Sequence, residues 1–104
     1  MLKNESNDQG YYMKVYINAF GLLKKYFGDS KYCLEIPKGS TMYDLMNVIN
    51  GVWGEKLPPY LWDSGKKQFR GSVVIMIQKK AVTSMEALLK EGQEVNLYKV
   101  LTGG

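Results

Sequence analysis

Few residues in this chain can do chemistry, and their types restrict what that chemistry can be. The sequence has no histidine and a single cysteine, Cys33. Ser-His-Asp and Cys-His nucleophilic catalysis therefore cannot be assembled from this chain alone. An internal disulfide framework and a four-cysteine iron–sulfur cluster are excluded, and a self-contained zinc site would need an unusual all-carboxylate shell. What stands out is the run Leu101-Thr102-Gly103-Gly104. Glycine lacks a Cβ, so two in succession can extend through a channel too narrow for any side chain. A terminal carboxylate, with a reference pKa of about 3.5, is anionic at neutral pH. It is then a poor electrophile, and a partner must activate it before it can react. Cys33 is the competing candidate for handling sulfur; a lone strand cysteine reads as a small packing residue or an unremarkable thiol.

Composition supports one domain around one modest core. The chain has 104 residues, 45% of them hydrophobic and 23% charged, too short for a TIM barrel and too apolar for wholesale disorder. The formal net charge is +4. The basic residues are dispersed as separate pairs, Lys24-Lys25, Lys66-Lys67 and Lys79-Lys80, and Arg70 is the sole arginine. Direct base readout favours the arginine fork, so sequence-specific nucleic-acid binding is disfavoured, while weak phosphate contact is not. No stretch approaches the ~20 apolar residues of a membrane span, and the beginning of the chain lacks the apolar run of a signal peptide. A cytoplasmic location is expected, in keeping with a free cysteine.

The elements that would position the Gly-Gly end follow from periodicity. Residues 1–12 read as a flexible tail, 13–100 as a folded domain and 101–104 as a second flexible tail. Val15, Ile17 and Ala19 alternate on one face of a strand over 13–20. Gly21 to Gly28 reads as a turn region, and Tyr32, Leu34 and Ile36 alternate in a second strand, giving a hairpin with a long connection. Thr41 and Asp44 have capping-box spacing. Met42, Leu45, Met46 and Ile49 form one apolar helical stripe, expected to pack on the sheet, with Gly51 and Gly54 ending the helix. Residues 55–71 are irregular but carry Tyr60, Leu61, Trp62 and Phe69. The expectation is a loop folded over one end of the core; the functional alternative is a partner-binding flap. Val73 to Ile77 is a continuous apolar run, expected as a central strand buried on both sides. Lys79-Lys80 turns it into a brief pairing at Ala81-Val82. Ser84 to Leu89 is expected as a short helical turn, and Val95 and Leu97 alternate in a last strand. If Val15, Ile17, Val95 and Leu97 face the helix, then Tyr16, Asn18, Phe20, Asn96 and Tyr98 face outward as a docking patch for partners.

The order of strand, strand, helix, strand, short strand and strand is an α+β arrangement, and it is the order of ubiquitin-like β-grasp folds. Four local features narrow the comparison: Asn18-Ala19-Phe20-Gly21-Leu22-Leu23-Lys24 at the end of the first strand, Gly39-Ser40-Thr41-Met42-Tyr43-Asp44-Leu45-Met46 at the helix start, Leu88-Leu89-Lys90-Glu91-Gly92-Gln93-Glu94-Val95 before the last strand, and the final Gly103-Gly104. Together they resemble the MoaD/ThiS sulfur-carrier family, which includes the small subunit of molybdopterin synthase and the thiazole-biosynthesis sulfur carrier. The sequence departs from the molybdopterin type at Lys99-Val100, where two prolines are frequent, and at Lys79-Lys80, where Asn-Gly is frequent.

The resemblance implies a mixed sheet of four to five strands with one main helix across it. It also implies a carrier with no bound cofactor, whose partners hold the catalytic machinery. An E1-like adenylating enzyme would use ATP to adenylate the Gly104 carboxylate, sulfur transfer would give a thiocarboxylate, and the large subunit of molybdopterin synthase or another sulfur acceptor would receive the sulfur. The alternatives are a ubiquitin-like modifier joined through Gly104 to target lysines, a thiazole-pathway carrier, and a lysine-rich non-catalytic binding module.

Overall fold

The computed structural model describes residues 10–28 and 31–100. Strand β1 (Tyr12–Ala19) turns through a single 3₁₀ turn (Gly21–Leu23) and a short helix α1 (Lys24–Phe27) into β2 (Tyr32–Pro37). The main helix α2 (Met42–Trp53) follows, then β3 (Trp62–Asp63), β4 (Gln68–Phe69), β5 (Val73–Ile77), β6 (Lys80–Ala81) and β7 (Glu94–Lys99). Five strands form one mixed sheet in the order β2-β1-β7-β5-β6, in which β1 and β7 are parallel neighbours and the other pairs are antiparallel. The folded part begins slightly before the expected position 13, since Tyr12 already pairs with Pro37. Residues 1–9 of the expected N-terminal tail, and all of 101–104, lie outside the described residues. Among the described residues no helix is long and apolar enough to cross a membrane.

Alternation in β1 and β7 sends Val15, Ile17, Val95 and Leu97 to one face, where all are at most 1% exposed. The stripe Met42, Leu45, Met46 and Ile49 covers that face and is equally buried. The capping box forms as spaced: the Thr41 hydroxyl oxygen accepts from the Asp44 amide, and the Asp44 carboxylate accepts from the Thr41 amide at 2.8 Å.

Several expectations are corrected. Gly51 does not end α2; the helix runs on to Trp53. Trp53 continues the stripe one further turn and packs against Phe27 and Tyr32, with ring centroids 4.7 and 4.9 Å away. Burying that indole outweighs the ~1 kcal/mol helix penalty of one glycine. The Gly21–Gly28 region is helical rather than a plain turn, because it must bury Leu23 and Phe27. Ser84 to Leu89 makes a single hydrogen-bonded turn, the Ala87 amide donating to the Ser84 carbonyl at 3.3 Å, and does not continue as helix. It runs alongside the start of α2, where the carbonyls of Ala87 and Met85 accept the otherwise unpaired amides of Met42 and Tyr43, each at 2.8 Å. Satisfying those two donors commits the Met85 and Ala87 carbonyls to α2, so they are not available to extend a helix.

Strand β5 is not the fully buried centre of the sheet, which is occupied by β1 and β7. It lies beside the two-residue edge strand β6, with Val74 and Met76 only half-buried. The turn between them is centred on Gln78 and Lys79, both at positive φ (53° and 69°), the paired left-handed geometry of a two-residue hairpin. Residues 55–71 do fold over one end of the core, burying Leu57, Leu61 and Trp62, but they contain a small hairpin, β3–β4, that periodicity did not reveal. The Trp62 indole N–H donates to the Asn50 side-chain oxygen at 2.9 Å and fastens this cover to α2.

Candidate functional site: the outer face of the sheet

Because β1 and β7 are parallel and in direct register, the residues of opposite parity to the core line up across them on the outer face. Tyr16 stands beside Glu94 and Asn18 beside Asn96. The Phe20 amide donates to the Leu97 carbonyl at 3.0 Å, which holds the end of β1 against β7. Phe20 then stacks on Tyr98 with ring centroids 4.6 Å apart and planes 6° from parallel. All five residues expected on the docking patch are therefore brought onto one surface. Tyr16, Asn18, Asn96 and Tyr98 are half-buried there, and Phe20 is exposed.

The surface has two halves. One is aromatic and apolar: Phe20 and Tyr98, with exposed Leu22 and Val100 nearby in the chain. The other is a polar cluster. The Asn18 side-chain amide donates to Asn96 Oδ1 and to Glu94 Oε1, both at 2.9 Å. Lys31 Nζ reaches Glu94 Oε2 at 2.7 Å and sits 5.7 Å from the centre of the Tyr16 ring. The lysine contact, then the asparagine hydrogen bond, hold the Glu94 carboxyl below the usual glutamate range. Glu94 and Lys31 were not read from the sequence as part of this face. Glu94 shares the parity of Asn96 and Tyr98, and that signal was available. Lys31 precedes β2 and carried no periodic signal.

Cys33 is an exposed thiol on the outer face of β2, opposite Tyr16, and not a packing residue. Among the described residues, no group of three or more His, Cys, Asp or Glu side chains is arranged to hold a metal. Among the described residues, the outer face sets aromatic and polar side chains side by side, and none of its hydrogen bonds joins a nucleophile to a base. Leu101, Thr102, Gly103 and Gly104 lie outside the described residues. The chain enters them from Val100, whose amide donates to the Ser72 carbonyl at 2.7 Å, next to the Phe20–Tyr98 stack.

No protein-family model matches this chain, and no curated protein matches it in sequence. Solved structures match it in fold. Small archaeal modifier protein 1 (SAMP1) from Haloferax volcanii superimposes with a TM-score of 0.69 at 15% identity, over 88% of this chain and 99% of that one. A putative molybdopterin converting factor, subunit 1, from Pyrococcus furiosus gives 0.67 at 22% identity, over 86% and 99%. Urm1 from Trypanosoma brucei gives 0.59 at 16% identity, over 89% and 97%. This chain has the ubiquitin-like β-grasp fold. The proteins of known structure that share its arrangement include modifier proteins and a molybdopterin converting factor subunit, which is the fold expected from the MoaD/ThiS resemblance.

Proposed function

We propose that this protein is a ubiquitin-like carrier that works through the carboxylate of Gly104, most directly as a sulfur carrier for molybdenum or tungsten cofactor synthesis. The observation that carries the reading is the placement of the outer face. The Phe20–Tyr98 stack flanks the point where β7 hands the chain on to Leu101-Thr102-Gly103-Gly104. A partner seated on that stack would have the terminal glycines within its reach. An aromatic anchor at the centre of an interface is what concentrates binding energy.

In the proposed cycle, an E1-like enzyme binds the outer face and draws Gly103-Gly104 into its active site. The Gly104 carboxylate attacks the α-phosphate of ATP, giving the acyl adenylate and releasing pyrophosphate. A sulfide-level sulfur nucleophile supplied by a partner then displaces AMP, leaving Gly104 as a thiocarboxylate. In the acceptor, the large subunit of molybdopterin synthase or an equivalent enzyme, that sulfur attacks a substrate carbon and displaces the group bound there, joining carrier and substrate as a thioester whose acyl–sulfur bond is then hydrolysed to leave the sulfur on the substrate. That hydrolysis restores the carboxylate. The chain contributes binding, reach and the carried atom; its partners contribute the catalysis. This division suits a sequence without histidine.

The modifier reading shares the first step and replaces sulfur with a target lysine amine as the nucleophile. The test is ATP–pyrophosphate exchange with the cognate activating enzyme, followed by intact mass of the chain recovered from its own cells. Replacement of one oxygen by sulfur at Gly104 is expected. Adducts to lysines with no thiocarboxylate would select the modifier instead, and absence of exchange would remove both.

A further inference from the structure

The β2 edge of the sheet carries a ladder that complements itself, independent of Gly104 chemistry. Strand β2 ends the five-stranded sheet on one side and pairs only with β1. The Lys38 amide donates to the Tyr11 carbonyl at 2.8 Å, in the same register as the β1–β2 pairs. Bonded and non-bonded pairs alternate along an antiparallel ladder, so Ile36, Leu34 and Tyr32 turn their backbone groups to β1. Lys31, Cys33 and Glu35 turn theirs away. The far side of β1 has the matching parity. The Tyr16 amide donates to the Gln93 carbonyl at 2.9 Å and the Lys14 carbonyl accepts from the Gly92 amide at 2.7 Å, so the residues opposite Cys33 and Glu35 bond away from β2.

Among the described residues, nothing bonds the backbone amides or carbonyls of Lys31, Cys33 and Glu35. The row stops at Pro37, which has no amide proton. Its carbonyl already accepts from the Ser40 amide at 3.2 Å and the Ser40 hydroxyl at 2.6 Å. Three alternate residues, each with donor and acceptor intact, suit an antiparallel strand, and their midpoint is Cys33. A second copy of β2, laid antiparallel with Cys33 opposite Cys33, satisfies all three: Lys31 meets Glu35 at both ends. The next register toward Pro37 sets Lys31 against that donorless residue, and the one after it sets Glu35 against Glu35.

Charge favours the same register. Across the outer face the row would run from Glu94 to Lys31, then to Glu35 of the second copy and to that copy's Lys14, which stands opposite Glu35 on β1. The signs alternate, and opposite charges in facing positions attract. Lys31 keeps its 2.7 Å contact with Glu94, which takes one of its three ammonium protons. Glu35 has no ion pair among the described residues. On the helix side, Tyr32, 42% exposed at the edge, comes opposite Leu34 of the second copy. We propose that β2 pairs antiparallel with β2 of a second copy about a two-fold axis at Cys33, closing a dimer whose sheet runs through both chains. Both outer faces then lie on one side. The Phe20–Tyr98 stack sits beyond the junction, on β1 and β7, and stays uncovered, so the dimer presents two docking patches in the same direction.

The experiment follows the full chain, kept reduced, from ~20 µM to ~1 mM by sedimentation velocity and amide hydrogen exchange. A dimer fraction that rises with concentration is expected, with slower exchange of the Lys31, Cys33 and Glu35 amides in step. Cys33→Ser should dimerise like the original, which separates edge pairing from a disulfide. Cys33→Pro removes the outward amide at the axis without touching the bonds to β1, and should be monomeric. Glu35→Lys sets like charges against Lys31 at both ends and should weaken the dimer by about tenfold or more. It tests the same register should the proline variant fail to fold. A chain that stays monomeric at ~1 mM overturns the proposal. So does a dimer undiminished by Glu35→Lys, or one that protects the Phe20–Tyr98 face instead. Protection of Cys33 and Glu35 that ignores concentration and is lost on deleting residues 1–9 would give the edge to the chain's own beginning, and overturns the dimer too.

Discussion

Glu94 ties the polar half of the outer face together, because one carboxylate takes both the Lys31 ammonium and the Asn18 amide. Its pKa is lowered from the ordinary 4.5 chiefly by the Lys31 contact. A carboxyl with a depressed folded pKa favours the folded state above its unfolded pKa, and that contribution disappears as the pH falls through the folded value. The cluster should therefore loosen on acidification below about pH 4.5 and be intact at neutral pH. In Lys31→Met, the Glu94 titration followed by NMR should move back toward the ordinary value; an unchanged midpoint would show that Lys31 does not set it. At the other half of the face, Phe20→Ala and Tyr98→Ala each remove one ring of the stack while leaving the core face untouched. Both should weaken binding to the activating enzyme by about tenfold or more, with little change in melting temperature; equal affinity of both folded variants would dismiss the patch. Parity alone made Tyr16, Asn18, Phe20, Asn96 and Tyr98 legible in the sequence. The ring stack and the Lys31 link were not, since both depend on a parallel register between residues 78 apart in the chain.

Local rules located α2 and, at Gly54, its C-terminal cap, but they also offered Gly51 as a stop. The Thr41–Asp44 box and the stripe from Met42 to Ile49 involve neighbours within two turns, and both formed as spaced. Gly51 reads locally as a stop, and only the long-range contacts of Trp53 with Phe27 and Tyr32 carry the helix through it. The same reasoning explains why the Ser84–Leu89 turn does not extend: its carbonyls serve amides more than forty residues away at Met42 and Tyr43. The difference between the two glycines has a measurable consequence. Gly51 is exposed inside α2, and a Cβ added there meets nothing within 4 Å. Gly51→Ala should stabilise the fold by roughly 0.5–1 kcal/mol, by restricting the unfolded chain and restoring helix propensity. Thr41→Ala should destabilise it by about 1 kcal/mol, by freeing the Asp44 amide and dismantling the box. Denaturant unfolding of both variants, with unchanged m, is the measurement; if Gly51→Ala is destabilising, the glycine has a role that the helix geometry does not contain.

At the scale of the whole molecule, the parallel pairing of β1 and β7 fixes where the chain departs from the sheet. The Val100 amide is the last described tie, bonded to the Ser72 carbonyl. Four residues follow, so Gly104 can lie no farther than about 14 Å from that tie. On the proposed function, a partner docked on the Phe20–Tyr98 stack would receive the carboxylate at a distance set by residue count. One added residue changes the reach by ~3.3 Å, whereas in-line attack on a phosphate tolerates misplacement of only ~1 Å. An added alanine would also put a Cβ where two glycines pass. Deleting Gly104 and appending one alanine after it are both expected to abolish ATP–pyrophosphate exchange. Neither should shift the melting temperature, because the fold is closed before Leu101 by the β7 ladder and the Ser72 tie. Outer-face substitutions, by contrast, should raise the concentration of carrier needed for half-maximal exchange while leaving the rate at saturation largely intact. If the extended chain is adenylated at saturation as fast as the original, the terminal glycine is not the reacting residue, however well the protein binds its partner.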